Sequence, residues 1–503
     1  MDGLNQKIRS AYLWTTALLL TKNLLGFGLS LLLARFLSPA DYGLVGMVTV
    51  LTGIVLVAQD WGMGQAVIYF DEDHGHLATY FTVAALTGAI LTVATFLVAP
   101  AVGAIYHEPR LVPIMQVLSF TLLLGGLRSV SQGLLTKRFQ FRSITLIEAG
   151  CTIGSVLIAV ILAWKGFGAW SLVVNILLGA FLQTVLFCWL IRPQFTLAID
   201  RVALGRAFRW GLPLTGASLL WQFYENSDYL VVGKLLGAAA LGQYTMAFRL
   251  ATVPNDKVSS VINRVSFPSF SAMQKEVKSV VEHWFSLTRK IGFLTFPALV
   301  ALAVNAHDFI VVVLGSKWLP AAPIVKALCI VGALKSMMAI TVNLVCARGR
   351  TDLAFRFSVL NAIFLPVSFL LGCKWASLSG VAVAWCVVFP LICLYLVGSA
   401  THLVGVRLRD YCQNLASPML TSLICLAAML PAGWSSNSSI VRLTLRSGVG
   451  LACFYLCLKF QPALRDSIGG LLVLGGAKRP TETGNVEIAT GSYEEVALKK
   501  PCS

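Results

Sequence analysis

The chain has 503 residues, 57% of them hydrophobic and only 12% charged, with a formal net charge of +17 at pH 7; its mean hydropathy is +0.79. Soluble globular domains carry roughly 25% charged residues, so that class is excluded and an all-α integral membrane protein is implied. The basic residues fall in short loops between apolar runs, the pattern of membrane topology and not of a nucleic-acid-binding patch, so no nucleic-acid partner is expected.

Apolar windows of roughly 20 residues predict helices, six of them in the first half: Tyr12–Phe36, Tyr42–Asp60, Leu77–Val98, Leu111–Leu134, Ile144–Trp164 and Ala169–Leu190. Lys7 and Arg9 precede the first without a small-residue cleavage site, so that helix is expected to be retained. Six more follow at Arg209–Leu236, Ala240–Ile262, Phe285–Val304, Ile324–Cys346, Phe355–Cys373 and Ser377–Val397, then an extra pair near Cys412–Leu430 and Ile440–Leu458. The total is about fourteen. Residues 1–200 and 201–400 then form two six-helix lobes, 401–465 two further helices, and the polar stretch 466–503 a disordered cytoplasmic tail.

Placing both termini in the cytoplasm puts clusters such as Lys137, Arg138 and Arg142, or Arg348, Arg350 and Arg356, inside, and single cations such as Arg110, Lys317 and Lys374 outside. Asp71, Glu72 and Asp73 break the pattern. Tryptophans mark the same interfaces: Trp164, Trp170, Trp318, Trp375 and Trp434 at outer ends, Trp61, Trp210 and Trp284 at inner ends. The outer loops are short, the longest running from Asn305 to Pro320. The twelve cysteines show no CxxC pair or His spacing suited to zinc and read as membrane-packing residues, so no metal is expected.

Trp221–Leu250 places Glu225, Asp228, Lys234 and Arg249 within apolar sequence. A charge in hydrocarbon costs roughly 2.5–3.5 kcal/mol even on insertion scales, so such residues face a bundle interior or a watery cavity and mark a transport pathway. Glu225 and Asp228, three residues apart, share a helix face with Trp221 and Tyr224. The plain alternative is that these carboxylates only pair with basic residues and hold helices together.

A faint internal repeat accompanies this. ARFLSPADYG (Ala34–Gly43) aligns with GKLLGAAALG (Gly233–Gly242), pairing Arg35 with Lys234 and Gly43 with Gly242. An even number of helices separates the two, so both halves enter the membrane in the same sense, and a substrate site is expected between them.

DYLVVGKLLGAAALGQYTMAFRL (Asp228–Leu250), NRVSFPSFSAMQ (Asn263–Gln274), LGSKWLPAAPIVKAL (Leu314–Leu328) and ARGR (Ala347–Arg350), with LARFLSPADYG (Leu33–Gly43) and DWGMGQAVI (Asp60–Ile68), resemble the polysaccharide transporter family of the multidrug/oligosaccharidyl-lipid/polysaccharide (MOP) exporter superfamily. The resemblance is to its Wzx-type flippases, above all the colanic acid exporter branch, over roughly Met1 to Phe460. It implies the fold of that superfamily, two six-helix lobes in a V, plus two peripheral helices. Its implied cargo is an undecaprenyl-diphosphate-linked oligosaccharide, carried across the bacterial inner membrane by alternating access for exopolysaccharide, capsule or O-antigen synthesis. A polymerase and a chain-length regulator are implied as partners.

Such a cargo needs cations for its diphosphate, and Lys22, Arg35, Arg128, Lys234, Arg249 and Lys335 are the candidates. Trp221, Gln222, Tyr224 and Asn226 are the expected sugar contacts, and Glu225 and Asp228 the candidates for coupling to protons or sodium ions. Structural alternatives stand beside these: Arg35 and Lys234 snorkelling, Arg128 pairing with Glu148, and the aromatics packing helices. Three other functions stay open: a drug or metabolite antiporter of the same superfamily, a lipid II flippase, and a membrane polysaccharide polymerase or ligase. The short outer loops disfavour the last, since His107 and His307 there lack a companion acid set. No nucleotide-binding, zinc-protease or nucleophile motif occurs, so neither an enzyme nor an organic cofactor is expected.

Overall fold

The computed structural model describes residues 25–69, 74–196, 199–273, 276–433 and 437–460, and these are almost entirely helical. In chain order they form α1 (Leu25–Phe36), α2 (Pro39–Asp60), α3 (Met63–Tyr69), α4 (His74–Tyr106), α5 (Leu111–Lys137), α6 (Phe141–Trp164), α7 (Ala169–Ile191), α8 (Arg201–Met273), α9 (Val277–Phe309), α10 (Ala322–Ala347), α11 (Thr351–Val404), α12 (Leu408–Met429) and α13 (Ser439–Phe460). Eleven described stretches are long and apolar enough to cross a membrane.

Two of those stretches are helical hairpins. Arg201–Asn255 and Thr351–Val404 have 55 and 54 residues, and a continuous helix of that length would run roughly 80 Å, far beyond a hydrocarbon core of about 30 Å. α8 breaks at Gly237, whose φ of 80° and ψ of −178° suit glycine, and Asp228 and Tyr244 meet across the break. α11 breaks at Ala376 and Ser377, bringing Gly372 against Gly380 so closely that neither position has room for a Cβ. The first predicted helix is described only from Leu25; Lys22, the acidic run at 71–73, Trp434 and the C-terminal tail lie outside the described residues.

Several helices run past the predicted bounds because their ends carry polar residues that hydropathy windows discard. The largest departure is the segment expected as the longest outer loop. There α9 continues into a π-helical turn (Ile310–Leu314), Gly315 breaks it at φ 97°, and a 3-10 helix (Ser316–Ala321) leads into α10. The apolar run Phe309–Leu314 has no turn residue before that glycine, so the helix persists.

Two predicted interfacial tryptophans are core residues. Trp318 is fully buried and donates from Nε1 to the Ala34 carbonyl at 3.0 Å. Trp284, also fully buried, stacks on Tyr411 with centroids 4.8 Å apart, fixing α9 to α12. Position at a helix end does not by itself separate a belt tryptophan from one that packs against a neighbouring helix. Trp164 and Trp375, 73% and 77% exposed, lie uncovered at helix ends.

α2 packs along α8, joining the two halves of the chain, while α12 and α13 lie against α9. One end of the bundle carries Arg35, Tyr106, Trp164 and Gly237; the other carries Asp60, Lys137, Ile191 and Ala347. These are the Arg35 face and the Lys137 face below.

Candidate functional site

A cavity of about 700 Å³ opens among α1, α2, α5, α6, α7 and the second arm of α8. Its polar lining comprises Arg128, Arg249, Asn175, Gln183, Tyr42 and the hydroxyls of Ser30, Thr49, Thr52, Thr121, Thr152 and Ser155, and among the described residues no lining side chain is acidic. The pattern follows from helix periodicity. Thr121, Gly125 and Arg128 on α5, and Asn175, Gly179 and Gln183 on α7, recur at three- or four-residue spacing and so share one face.

Arg128 Nη1 donates to Gln183 Oε1 at 2.7 Å. The structural alternative of an Arg128–Glu148 ion pair is not among the contacts of the described residues; Glu148 Oε1 accepts from Gln132 Nε2 at 3.2 Å. Neither Arg128, bonded to Gln183, nor Arg249 forms an ion pair among the described residues. Two guanidiniums without an ion pair among the described residues, set amid hydroxyl and amide groups, suit an anion attached to a hydroxyl-rich body.

The repeat reappears as a closure of the Arg35 face. Arg35 Nη1 donates to the Val312 carbonyl at 2.6 Å, beyond the end of α9, and Lys234 Nζ donates to the Ile105 carbonyl at the end of α4. Each cation thus reaches across to a helix C-terminus, where carbonyls lack intrahelical partners and the helix dipole is negative. Lys317 Nζ donates to the Arg35 carbonyl at 2.7 Å, and Trp318 packs edge-on to Tyr42 at 5.4 Å. The matched glycines behave reciprocally: a Cβ on Gly43 would overlap the Ala238 carbonyl, and one on Gly242 the Pro39 carbonyl. Asp41 anchors the corner by capping α2 through Ser38 and accepting from Ala169 N of α7 at 3.1 Å.

The halves also touch at the Lys137 face. Trp61 meets Phe208 at 5.6 Å, and the backbones at Gly62 and Gly211 approach without room for a side chain.

The second half holds its charges differently. Lys335 Nζ of α10 bonds Glu225 Oε2 of α8 at 2.8 Å and lies 4.9 and 4.8 Å from the Phe248 and Trp385 ring centroids. Asp228, fully buried, accepts at Oδ2 from Tyr244 Oη at 2.5 Å and Trp385 Nε1 at 3.2 Å, and at Oδ1 from Tyr229 N at 2.9 Å. Aromatic rings and an ion pair fill this space, so the cavity belongs mainly to the first half and is not centred between the halves as the repeat suggested.

Of the six predicted cavity cations, Arg128 and Arg249 line the cavity; Arg35 and Lys234 join the halves at one face, Lys335 is held by Glu225, and Lys22 lies outside the described residues. The four predicted sugar contacts are not among the lining residues. Trp221 is half exposed, Tyr224 is buried, and Asn226 donates to the Gln222 carbonyl of its own helix at 2.8 Å. Gln222 comes nearest, its Nε2 lying against the position a Cβ on cavity-lining Gly53 would take. Asn175, Gln183 and the hydroxyls were missed because neutral polar residues barely dent hydropathy; their helical spacing was the available signal.

A family profile described as "Polysaccharide biosynthesis protein" matches residues 32–323. Relatives include the lipopolysaccharide biosynthesis protein WzxC of Escherichia coli (strain K12), 27% identical over 86% of this chain and 88% of that one. The teichuronic acid biosynthesis protein TuaB of Bacillus subtilis (strain 168) is 25% identical over 93% and 99%. Among solved structures, lipid II flippase MurJ in an inward closed conformation matches with a TM-score of 0.74 at 15% identity, over 89% of this chain and 99% of that one. A multidrug resistance MATE family transporter of the MOP superfamily, inward-facing, matches with a TM-score of 0.60 at 14% identity over 76% and 96%. At these identities the structural likeness establishes the fold.

Proposed function

The chain belongs to the polysaccharide biosynthesis protein family, and from that premise we propose that it is a flippase for lipid-linked oligosaccharide repeat units. The cargo is an undecaprenyl-diphosphate-linked oligosaccharide moving from the cytoplasmic to the outer leaflet of a bacterial inner membrane. One observation carries this reading: a cavity of about 700 Å³ whose described lining has two arginines, without ion pairs among the described residues, many hydroxyl and amide groups and no acid. A diphosphate needs charge-assisted donors, and a glycan needs neutral hydrogen-bonding groups beside them.

In this reading both termini are cytoplasmic, the Lys137 face is inner and the Arg35 face outer, as the excess of Lys and Arg in the loops of the Lys137 face favours. Residues 1–200 and 201–400 act as two lobes that rock about the contact of α2 with α8, and the cross-links at Arg35 and Lys234 hold the outer side shut. Coupling to protons or sodium ions falls to Glu225 and Asp228, whose contacts link the two arms of α8 to α10 and α11. A polymerase and a chain-length regulator would act on the cargo after it is flipped.

The test is the sidedness of lipid-linked repeat units in cells lacking this chain. Their accumulation on the cytoplasmic face, with loss of surface polymer, is the expected result. Normal delivery to the outer face followed by failure to polymerise would overturn it and place the chain after the flipping step.

A further inference from the structure

Away from the cavity, at the Arg35 face, a second pocket of about 580 Å³ lies where the ends of α9, α10, α12 and α13 meet. Asp308, its side chain 2% exposed, sits at the base and is bonded by Arg442 Nη2 at 2.6 Å and Arg446 Nη1 at 3.2 Å. His307 Nδ1 lies 3.4 Å from the same carboxylate, and Lys326 lines the far wall. One acid therefore faces two guanidiniums and an ammonium, and the lining keeps a net positive charge with His307 neutral.

The sequence builds this excess deliberately into the helix ends. Arg442 and Arg446 are four residues apart on α13 and so share a face, and the turn before α13 supplies Gly433, where a Cβ would overlap the Arg446 guanidinium. Arg446 is only 17% exposed, and its Nε has no acceptor among the described residues, so Asp308 leaves part of its donor capacity unused. Around the pocket the surface is apolar: Leu430, Ile440 and Val441 are 50%, 61% and 42% exposed. Basic groups at a helix end, ringed by exposed aliphatics, have the composition expected of a headgroup-level site.

We propose that this pocket binds the phosphate of an anionic lipid headgroup at the Arg35 face. The excess charge calls for an anion, the guanidiniums suit phosphate oxygens, and the aliphatic rim suits acyl or prenyl chains. The site is separate from the cavity and holds whether or not the flippase reading does. Two sources share its chemistry: a bulk anionic phospholipid and a polyprenyl phosphate.

The experiment is native mass spectrometry of the purified full-length protein titrated with phosphatidylglycerol, phosphatidylcholine and undecaprenyl phosphate. Wild type should retain phosphatidylglycerol or undecaprenyl phosphate over phosphatidylcholine. Lys326→Gln should weaken that retention several-fold, and Asp308→Asn with Arg446→Gln, which removes one charge of each sign, by roughly tenfold, about the effect of losing one charge-assisted hydrogen bond. Tighter retention of undecaprenyl phosphate assigns the prenyl source, and equal or tighter retention of phosphatidylglycerol the bulk source. Retention no better than for phosphatidylcholine, or unchanged in Lys326→Gln, overturns the proposal; Lys326 is exposed, so its variant carries the test even if the paired variant misfolds.

Discussion

Arg35 and Lys234, matched positions of a ten-residue repeat, each cross to the opposite half of the chain and donate to the carbonyl end of its long helix, Arg35 at Val312 and Lys234 at Ile105. Both side chains are exposed, so each bond contributes modestly, roughly 0.5–1.5 kcal/mol. Together, Arg35→Ala and Lys234→Ala should shift the population toward an Arg35-face-open state by about tenfold. Spin labels on exposed sites near Ile105 and Val312 would report it as a longer distance. An unchanged distance distribution would show that the two bonds do not hold the face closed.

Gly43 and Gly242 permit the backbone contact that seals the same face, since a Cβ at either meets a carbonyl oxygen of the other half. Gly43→Ala and Gly242→Ala should each force α2 away from the second arm of α8 and lower transport more than tenfold, as overpacking costs roughly 1–3 kcal/mol at such sites. Gly216→Ala, where nothing lies within 4 Å, should transport normally. Equal activity in all three variants would remove the contact from the account.

Glu225 and Lys335 form a pair whose side chains are 24% and 11% exposed. Lys335→Met alone leaves a carboxylate stranded and should destabilise the protein by about 3 kcal/mol, whereas adding Glu225→Gln should restore much of it. Melting temperatures of the two single variants and the double variant form the cycle that checks this. Additive losses would mean the pair does not interact.

Asp200 lies just before α8 and accepts from Ala203 N at 3.1 Å and Val202 N at 2.8 Å. Those backbone bonds, aided by His76, hold its carboxyl below the usual aspartate range. Because the folded value is depressed, the stabilisation is present at neutral pH and is lost as pH falls through that value. The melting-temperature gap between wild type and Asp200→Asn should therefore be widest near neutrality and close in acid. A gap that does not change with pH would contradict the cap.

Much of the fold was legible because hydropathy runs, loop cations and turn residues report it directly, and even the faint repeat proved to mark real contacts at Arg35, Lys234, Gly43 and Gly242. The site was read less well. Charges drew attention to Trp221–Leu250, of whose charged residues Arg249 lines the cavity while Glu225, Asp228 and Lys234 make contacts elsewhere, and burial of Glu225 against Lys335 is a tertiary fact that spacing does not carry. Conversely, Asn175, Gln183 and the serine and threonine hydroxyls look ordinary in a membrane helix, and only their convergence on one cavity gives them meaning. Trp284 and Trp318 went astray for a related reason: a tryptophan near a helix end satisfies the belt rule whether lipid or protein covers it.

The most direct test of the central claim is transport of a lipid-linked oligosaccharide by the protein reconstituted in vesicles, comparing wild type with Arg128→Gln, Arg249→Gln and both together. Each single change should cut the rate roughly tenfold or more, and Arg→Lys should recover part of it, as expected for charge-assisted contacts to a diphosphate. Full transport by the double Gln variant, at normal protein levels in the vesicles, would show that the cavity of the first half is not where the cargo's phosphates bind.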